Sequence, residues 1–173
     1  MNSLGLEEGV VRLVPHDNSW PDLFELEKKK IQEKIREYIL AIEHCGSTAI
    51  PNIPSKPIMN ICIKVDNLEK VFDLKDELFS IGYLHKPESN FGDHELFFKK
   101  ENRKVTHHLH FMSADGDNWQ KATLFRKYLL ENPEMAQVYG ELKTNLANRF
   151  PNDRKAYGEG KNEFINKVLN IIM

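Results

Sequence analysis

The sequence predicts an α+β fold, in which helices flank a small mixed sheet of four or five strands and the C-terminal third is helical. Residues 57–65 are apolar on both sides of the strand alternation, which is typical of a central strand. Two further strand-like runs, 95–100 and 105–112, are separated by a short polar turn, which predicts a hairpin. From residue 118 onward, apolar residues recur at helical spacing.

The N-terminal third predicts an arm, a helix and a strand, in that order. Residues 10–13 are suited to a short strand or an extended arm, and turn formers follow. Trp20 and Pro21 fit the start of a helix, where proline removes an N–H that has no helical acceptor. The apolar face of this helix repeats at helical spacing in Phe24, Ile31, Ile35 and Tyr38. An apolar run from residue 39 to Cys45 predicts the first strand.

The remaining elements follow from periodicity and from turn residues. Residues 51–55 predict a loop, 68–80 an amphipathic helix that ends before Gly82, and 83–85 a short strand. Helices are expected over 118–130, from Pro133 through Leu146, and over 159–172. We find no repeat, low-complexity tract or linker, so residues 1–173 are expected to form a single domain.

Composition restricts the class of partner. Lysine and arginine total 24 against 26 aspartates and glutamates, which gives a formal net charge of −2. This balance disfavours binding to a long nucleic acid through a strongly basic surface, and it is compatible with a small phosphorylated ligand in a local pocket.

Cysteine usage and the N-terminus predict the compartment. Cys45 and Cys62 are the two cysteines of the chain, and both lie in apolar strand-like runs. We expect them to be reduced core residues, because two cysteines in a chain of this length do not suggest a disulfide framework. No apolar stretch approaches the roughly 18 residues of a membrane span, and no signal peptide is recognisable. A cytoplasmic protein without membrane contact is therefore expected.

The first candidate site is the segment that follows the first strand. Gly46, Ser47 and Thr48 come directly after Cys45, and Lys56 precedes the central strand. Glycine permits a close backbone approach, so that backbone N–H groups and hydroxyls could hold a phosphate, and Lys56 would add a positive charge. The alternative is an ordinary turn at the end of a strand.

The second candidate site is a histidine cluster. Seven histidines occur in the chain, and three of them lie within residues 107–110. Because side chains alternate along a strand, His108 and His110 share one face and could chelate a divalent metal. A further ligand would come from another element, with Glu43, His44 and Glu95 as candidates. The alternative is that these rings hydrogen-bond to neighbours or solvent without a metal.

A set of ordered motifs resembles the GrpB family. The set covers nearly the whole chain, and its main members are IEHCGSTAIP at 42–51, KPI at 56–58, GY at 82–83, HLH at 108–110 and FRKYL at 125–129. The resemblance implies the polymerase-beta-like fold of the nucleotidyltransferase superfamily. In that superfamily a Gly-Ser turn holds the phosphates of a nucleotide, and carboxylates on the next strands bind two divalent metals, usually magnesium.

The resemblance also implies roles for individual residues. Gly46 and Ser47 fall on the phosphate-holding turn, and Asn60 falls on the position of the first metal-binding aspartate. The family reads aspartate there, and the second carboxylate position falls on Cys62. Asparagine brings no negative charge to a metal. His108 and His110 fall near the third carboxylate and favour manganese or zinc over magnesium.

Three hypotheses follow. The first is metal-dependent nucleotidyl or phosphoryl transfer on a small phosphorylated substrate. In this hypothesis Gly46, Ser47, Thr48 and Lys56 hold phosphate, and His44, Asn60, His108 and His110 surround one metal. The second is a nucleotide- or anion-binding module that has lost catalysis through Asn60. The third is a histidine-metal hydrolase, in which a metal-bound water is the nucleophile and Glu43 or Glu95 is the base.

Overall fold

Five strands form one mixed sheet in the computed structural model, which describes residues 4–89 and 92–173. The strands are β1 (Ala41–Cys45), β2 (Met59–Val65), β3 (Tyr83–His85), β4 (His94–Glu101) and β5 (Lys104–Ser113). Their order across the sheet is β1-β2-β5-β4-β3. The β2–β5 pair is parallel and the other pairs are antiparallel, which confirms the predicted small mixed sheet.

The helices cover both faces of this sheet. They are α1 (Trp20–Ile35), α2 (Lys75–Ser80), α3 (Asp117–Glu131), α4 (Pro133–Arg149), α5 (Arg154–Glu159) and α6 (Asn162–Ile172). Short 3₁₀ segments occupy Arg36–Tyr38, Ser47–Ala49, Glu69–Leu74 and Pro87–Ser89. None of the helices in the described part of the chain is long and apolar enough to cross a bilayer.

The central strand β2 is buried on both sides, as its sequence predicts. On one face Ile61 and Ile63 pack with the apolar sides of α1 and α2. On the other face Cys62 packs with Met112 and with Trp119 of α3. A strand between two helical layers has no wet face, so a continuous apolar run is the expected sequence pattern.

The β4–β5 hairpin is tighter than the sequence pattern indicates. Glu101 pairs with Lys104, so the turn contains only Asn102 and Arg103. Both residues have positive φ, 50° and 66°. This is the backbone of a two-residue type I′ turn, whose twist matches that of the flanking strands. Each strand is consequently longer by one residue at this end than predicted.

Residues 10–13 form the arm, one of the two predicted alternatives, and isolated bridges near it join Leu6 to Val105 and Val14 to Ser55. Two other predictions of local structure differ from the structure. The predicted helix over 68–80 begins as a 3₁₀ segment and becomes α-helical at Lys75. The last predicted helix, 159–172, begins three residues later, at Asn162, as α6, and the short helix α5 that precedes it was not predicted.

A disulfide joins Cys45 of β1 to Cys62 of β2, so the expectation of two reduced thiols is wrong. The strand register explains the pairing. Glu43 is opposite Cys62 and Cys45 is opposite Asn60, which makes the two cysteines diagonal neighbours on one face. Their Cα atoms are 6.0 Å apart, within the range that a disulfide spans. This proximity depends on strand pairing and cannot be deduced from the sequence separation.

Reduction of this disulfide is expected to lower the free energy of unfolding by about 3 kcal/mol. The disulfide links residues with a sequence separation of 17, and reduction frees this loop in the unfolded chain. Urea denaturation with and without a reductant measures the difference. The double variant Cys45→Ala/Cys62→Ala serves as the control, and its stability should not respond to the reductant. Two free thiols in the denatured, unreduced protein would contradict the prediction.

Candidate functional site

A polar pocket lies where the end of β1 meets the start of β2 and the middle of β5. It encloses about 210 Å³, and the C-terminal helical region closes it from the other side. The residues that line it are Gly46, Ser47, Lys56, Ile58, Asn60, His108, Tyr139, Tyr157 and Lys161. The pocket therefore combines the predicted Gly-Ser turn with the Asn60 and His108 positions of the sheet.

Gly46 allows the turn after β1 to approach Asn60 closely. Its backbone has φ 66° and ψ −171°, a region that is essentially restricted to glycine. A Cβ atom on Gly46 would lie 2.9 Å from Nδ2 of Asn60. The glycine is thus required both by the backbone conformation and by the space between the turn and the asparagine.

The predicted ligands Thr48 and His44 lie outside this pocket. Nε2 of His44 is 2.8 Å from Oγ1 of Thr48, and the imidazole stacks on Phe24 of α1. Burial, with the Arg126 charge second, lowers the pKa of His44 to about 4. Both residues line a neighbouring cavity on the α1 side of the sheet.

Strand alternation separates the predicted metal ligands. His108 and His110 lie on one face of β5, as predicted, with His108 opposite Asn60 in the register. On β1, Cys45 is the residue opposite Asn60, so the preceding His44 belongs to the other face. The set His44, His108 and His110 is therefore not brought together. Within residues 4–89 and 92–173, no group of three or more His, Cys, Asp or Glu side chains is placed to hold a metal.

The predicted bases are also engaged elsewhere. Glu43 forms an ion pair with Arg126 of α3, and the same guanidinium donates to the backbone oxygen of His44. Glu95 lies 2.8 Å from Nε2 of His85, at the β3–β4 side of the sheet. Neither carboxylate lines the pocket.

The donor set of the pocket does not fit the two-magnesium site that the superfamily implies. Magnesium requires hard oxygen ligands, normally with carboxylate charge. Asn60 occupies the first carboxylate position of the superfamily, and its Oδ1 accepts a hydrogen bond from His110. Cys62 occupies the second position and is part of the disulfide. No carboxylate lines the pocket among the described residues.

The charged side chains that line the pocket are the lysines Lys56 and Lys161. Lys56 and Lys161 are half-buried, and their Nζ atoms lie 5.4 Å and 4.8 Å from the ring centroid of Tyr157. Burial, with the charges of Lys161 and Arg154 second and third, lowers the pKa of Lys56 to about 7. Burial also lowers the pKa of Lys161. Neither lysine forms an ion pair within the described ranges.

A third cation, Lys143, lies behind the pocket on α4. Its side chain is 1% exposed, and Nζ donates to the backbone oxygen of Pro54. The ammonium group also lies 5.2 Å from the ring centroid of Tyr139. Burial, with the charges of Lys161 and Lys56 second and third, lowers the pKa of Lys143 to about 7.

Sequence reasoning missed the residues that the C-terminal helical region contributes: Lys143, Lys161, Tyr139 and Tyr157. One signal for Lys143 was present, because it lies four residues after Tyr139 on the buried face of α4, where a lysine is unexpected. Lys161 lies in the turn between α5 and α6, and its sequence carries no comparable signal.

The fold is nucleotidyltransferase-like. The structure aligns with the Cid1 poly(U) polymerase with a TM-score of 0.54 and 11% identity, over 79% of this chain and 45% of that one. At this identity the likeness concerns the fold alone.

The chain belongs to the GrpB family, whose model, described as GrpB protein, matches residues 10–170. It is 38% identical over 171 residues to the glutamate-rich protein GrpB of Alkalihalophilus pseudofirmus, which covers 96% of this chain and 98% of the relative. The crystal structure of the conserved protein GrpB from Enterococcus faecalis aligns with a TM-score of 0.83 and 34% identity, over 93% and 96% of the two chains. The family resemblance is thereby confirmed.

Gly46→Ala is expected to destabilise the protein by about 1–3 kcal/mol, because alanine is strained in this backbone region and its Cβ meets Asn60. Chemical denaturation measures the loss. Gly158→Ala is the matched control, since a Cβ there has open space and no positive φ. Equal stabilities of the two variants would contradict the prediction.

Stability without ligand is expected to rise between pH 7 and pH 9. Lys56 and Lys143 have folded-state pKa values of about 7, below the usual 10.5, so over this range the unfolded chain binds more protons than the folded one. Urea denaturation across the range measures the slope. Lys143→Met should reduce the slope, whereas Lys155→Met, at an 86% exposed lysine, should leave it unchanged. A flat wild-type profile would contradict the prediction.

Proposed function

We propose that this GrpB-family protein binds the phosphate portion of a small phosphorylated ligand, with nucleotides among the candidates, in the pocket of Gly46, Lys56 and Lys161. The observation that supports the proposal most is a set of lysines around the pocket whose charges no carboxylate of the described residues compensates. Buried charge is costly unless it is paired, and a bound phosphate would supply the pairing.

The size of the pocket supports a phosphate group as the buried part of the ligand. A volume of about 210 Å³ is below the roughly 300–1,000 Å³ of sites that enclose a whole drug-sized molecule. The remainder of a nucleotide would extend beyond the lining residues. Tyr139 and Tyr157 form part of the wall that faces the sheet.

Binding without magnesium is favoured over the metal-dependent transfer that the resemblance implies. Two-metal transfer requires carboxylates that hold the ions beside the phosphates. This pocket offers Asn60 and lysines instead, so phosphate is expected to bind in the presence of EDTA. The histidine-metal hydrolase lacks support from the geometry, because His44 lies on the other face of the sheet and Glu43 is paired with Arg126 outside the pocket.

The experiment is a calorimetric screen of inorganic phosphate, pyrophosphate and nucleoside triphosphates with EDTA, followed by the same titrations on Lys56→Met and Lys161→Met. Each variant should bind about 10- to 100-fold more weakly, the size expected for a hydrogen bond to a charged group. Lys155→Met, at a solvent-exposed lysine of α5, is the control and should bind like the wild type.

Two outcomes would contradict the proposal. One is that none of these phosphorylated compounds binds the wild type. The other is that the Lys56 and Lys161 variants bind as the wild type does. Magnesium-dependent release of pyrophosphate from a nucleoside triphosphate would instead support nucleotidyl transfer.

A further inference from the structure

The carboxamide of Asn60 is held between the pocket and two histidines. We propose that Asn60 turns an N–H donor toward the bound phosphate and thereby makes the pocket selective for anions, and that His110 and His94 act as positioning residues that fix this orientation. The proposal rests on the proposed function and names what determines the specificity of the same site.

A backbone carbonyl sets the direction of the carboxamide. Nδ2 of Asn60 donates to the oxygen of Ile58 at 3.3 Å. A carbonyl oxygen only accepts hydrogen bonds, so the amide nitrogen, and not Oδ1, must face it. The same nitrogen is the atom closest to where a Cβ on Gly46 would lie. The donor end of Asn60 is thus directed at the turn that borders the pocket.

The acceptor end is held by a chain of two histidines. Oδ1 of Asn60 lies 3.0 Å from Nε2 of His110, and an amide oxygen only accepts, so this ring nitrogen carries the proton. Nδ1 of the neutral ring is then an acceptor, and it lies 2.9 Å from Nε2 of His94, which donates. Burial lowers the pKa of His110 to about 3, so the ring is neutral near pH 7.

This arrangement leaves one N–H of Asn60 for a ligand. The amide nitrogen has two N–H groups, and Ile58 accepts one of them. The other has no acceptor among residues 4–89 and 92–173, and Asn60 lines the pocket beside Lys56. A hydrogen-bond donor beside lysine side chains favours the binding of an oxyanion. An aspartate at the same position would place a negative charge among the same lysines and repel that anion.

The carboxamide is tested with inorganic pyrophosphate in EDTA as the probe. Asn60→Ala should weaken binding about tenfold through loss of one hydrogen bond to a charged group. Asn60→Asp should weaken it more, by about 100-fold, because the isosteric carboxylate repels the anion. Binding by Asn60→Asp that equals or exceeds that of Asn60→Ala would overturn the proposal, since a purely steric role predicts that order.

The positioning role is tested by the ring tautomer of His110 in nitrogen-15 NMR spectra. The wild-type ring should be protonated on Nε2. His94→Phe removes the donor to Nδ1, so the ring should move toward the Nδ1-protonated tautomer, and pyrophosphate binding should weaken about three- to tenfold. His85→Phe is the matched control, because His85 pairs with Glu95 and not with His110. This variant should change neither the tautomer of His110 nor the affinity for pyrophosphate. A wild-type ring protonated on Nδ1, or a tautomer unaffected in His94→Phe, would overturn the proposal.

The failure of this inference is separable from failure of the proposed function. If Lys56→Met loses pyrophosphate binding while Asn60→Asp retains it, the pocket binds phosphate and only the role of Asn60 is refuted. If no phosphorylated compound binds the wild type, the proposed function fails, and with it the anion-selective role of Asn60.

Discussion

The parallel pairing of β2 with β5 is the constraint on which the site depends. It places Asn60 opposite His108 and Cys62 opposite His110, and the antiparallel pairing of β1 places Cys45 beside Asn60. The turn at Gly46 therefore lies at the face of the sheet that carries Asn60 and His108. Because side chains alternate with a period of two, a shift by one residue would move these groups to the α1 side of the sheet.

The positive charges around the pocket come from segments outside the sheet. The sheet contributes neutral groups, whereas Lys143 and Lys161 come from the C-terminal helical region and Lys56 from the loop before β2. Burying these ammonium groups costs stability, which is expressed in the lowered pKa values of Lys56 and Lys143. A ligand that carries negative charge would remove that cost. The same feature thus links the stability of the fold to the proposed binding.

The fold is nucleotidyltransferase-like, but the charged side chains of the pocket are lysines and not carboxylates. The turn after β1 and the adjacent strands border the pocket, and the sheet supplies an amide, imidazoles and a disulfide where the family resemblance implies carboxylates that hold metals. The hydrogen bonds of Asn60 to Ile58 and His110 make the amide a fixed group and not a freely rotating one. These neutral, fixed groups are the basis of the proposed direct binding of an anion.

Local patterns in the sequence determined the central strand β2, the hairpin, the Gly46-Ser47 turn and the shared face of His108 and His110, because each follows from periodicity or from one residue's backbone preferences. Sequence alone could not place His44 and Glu43 correctly, since their neighbours depend on the register of β1 and on Arg126 of α3. Nor could it join Cys45 to Cys62, or bring Lys143 and Lys161 to the sheet. These contacts form between segments distant in the chain, and only the pairing of strands and the packing of helices decided them.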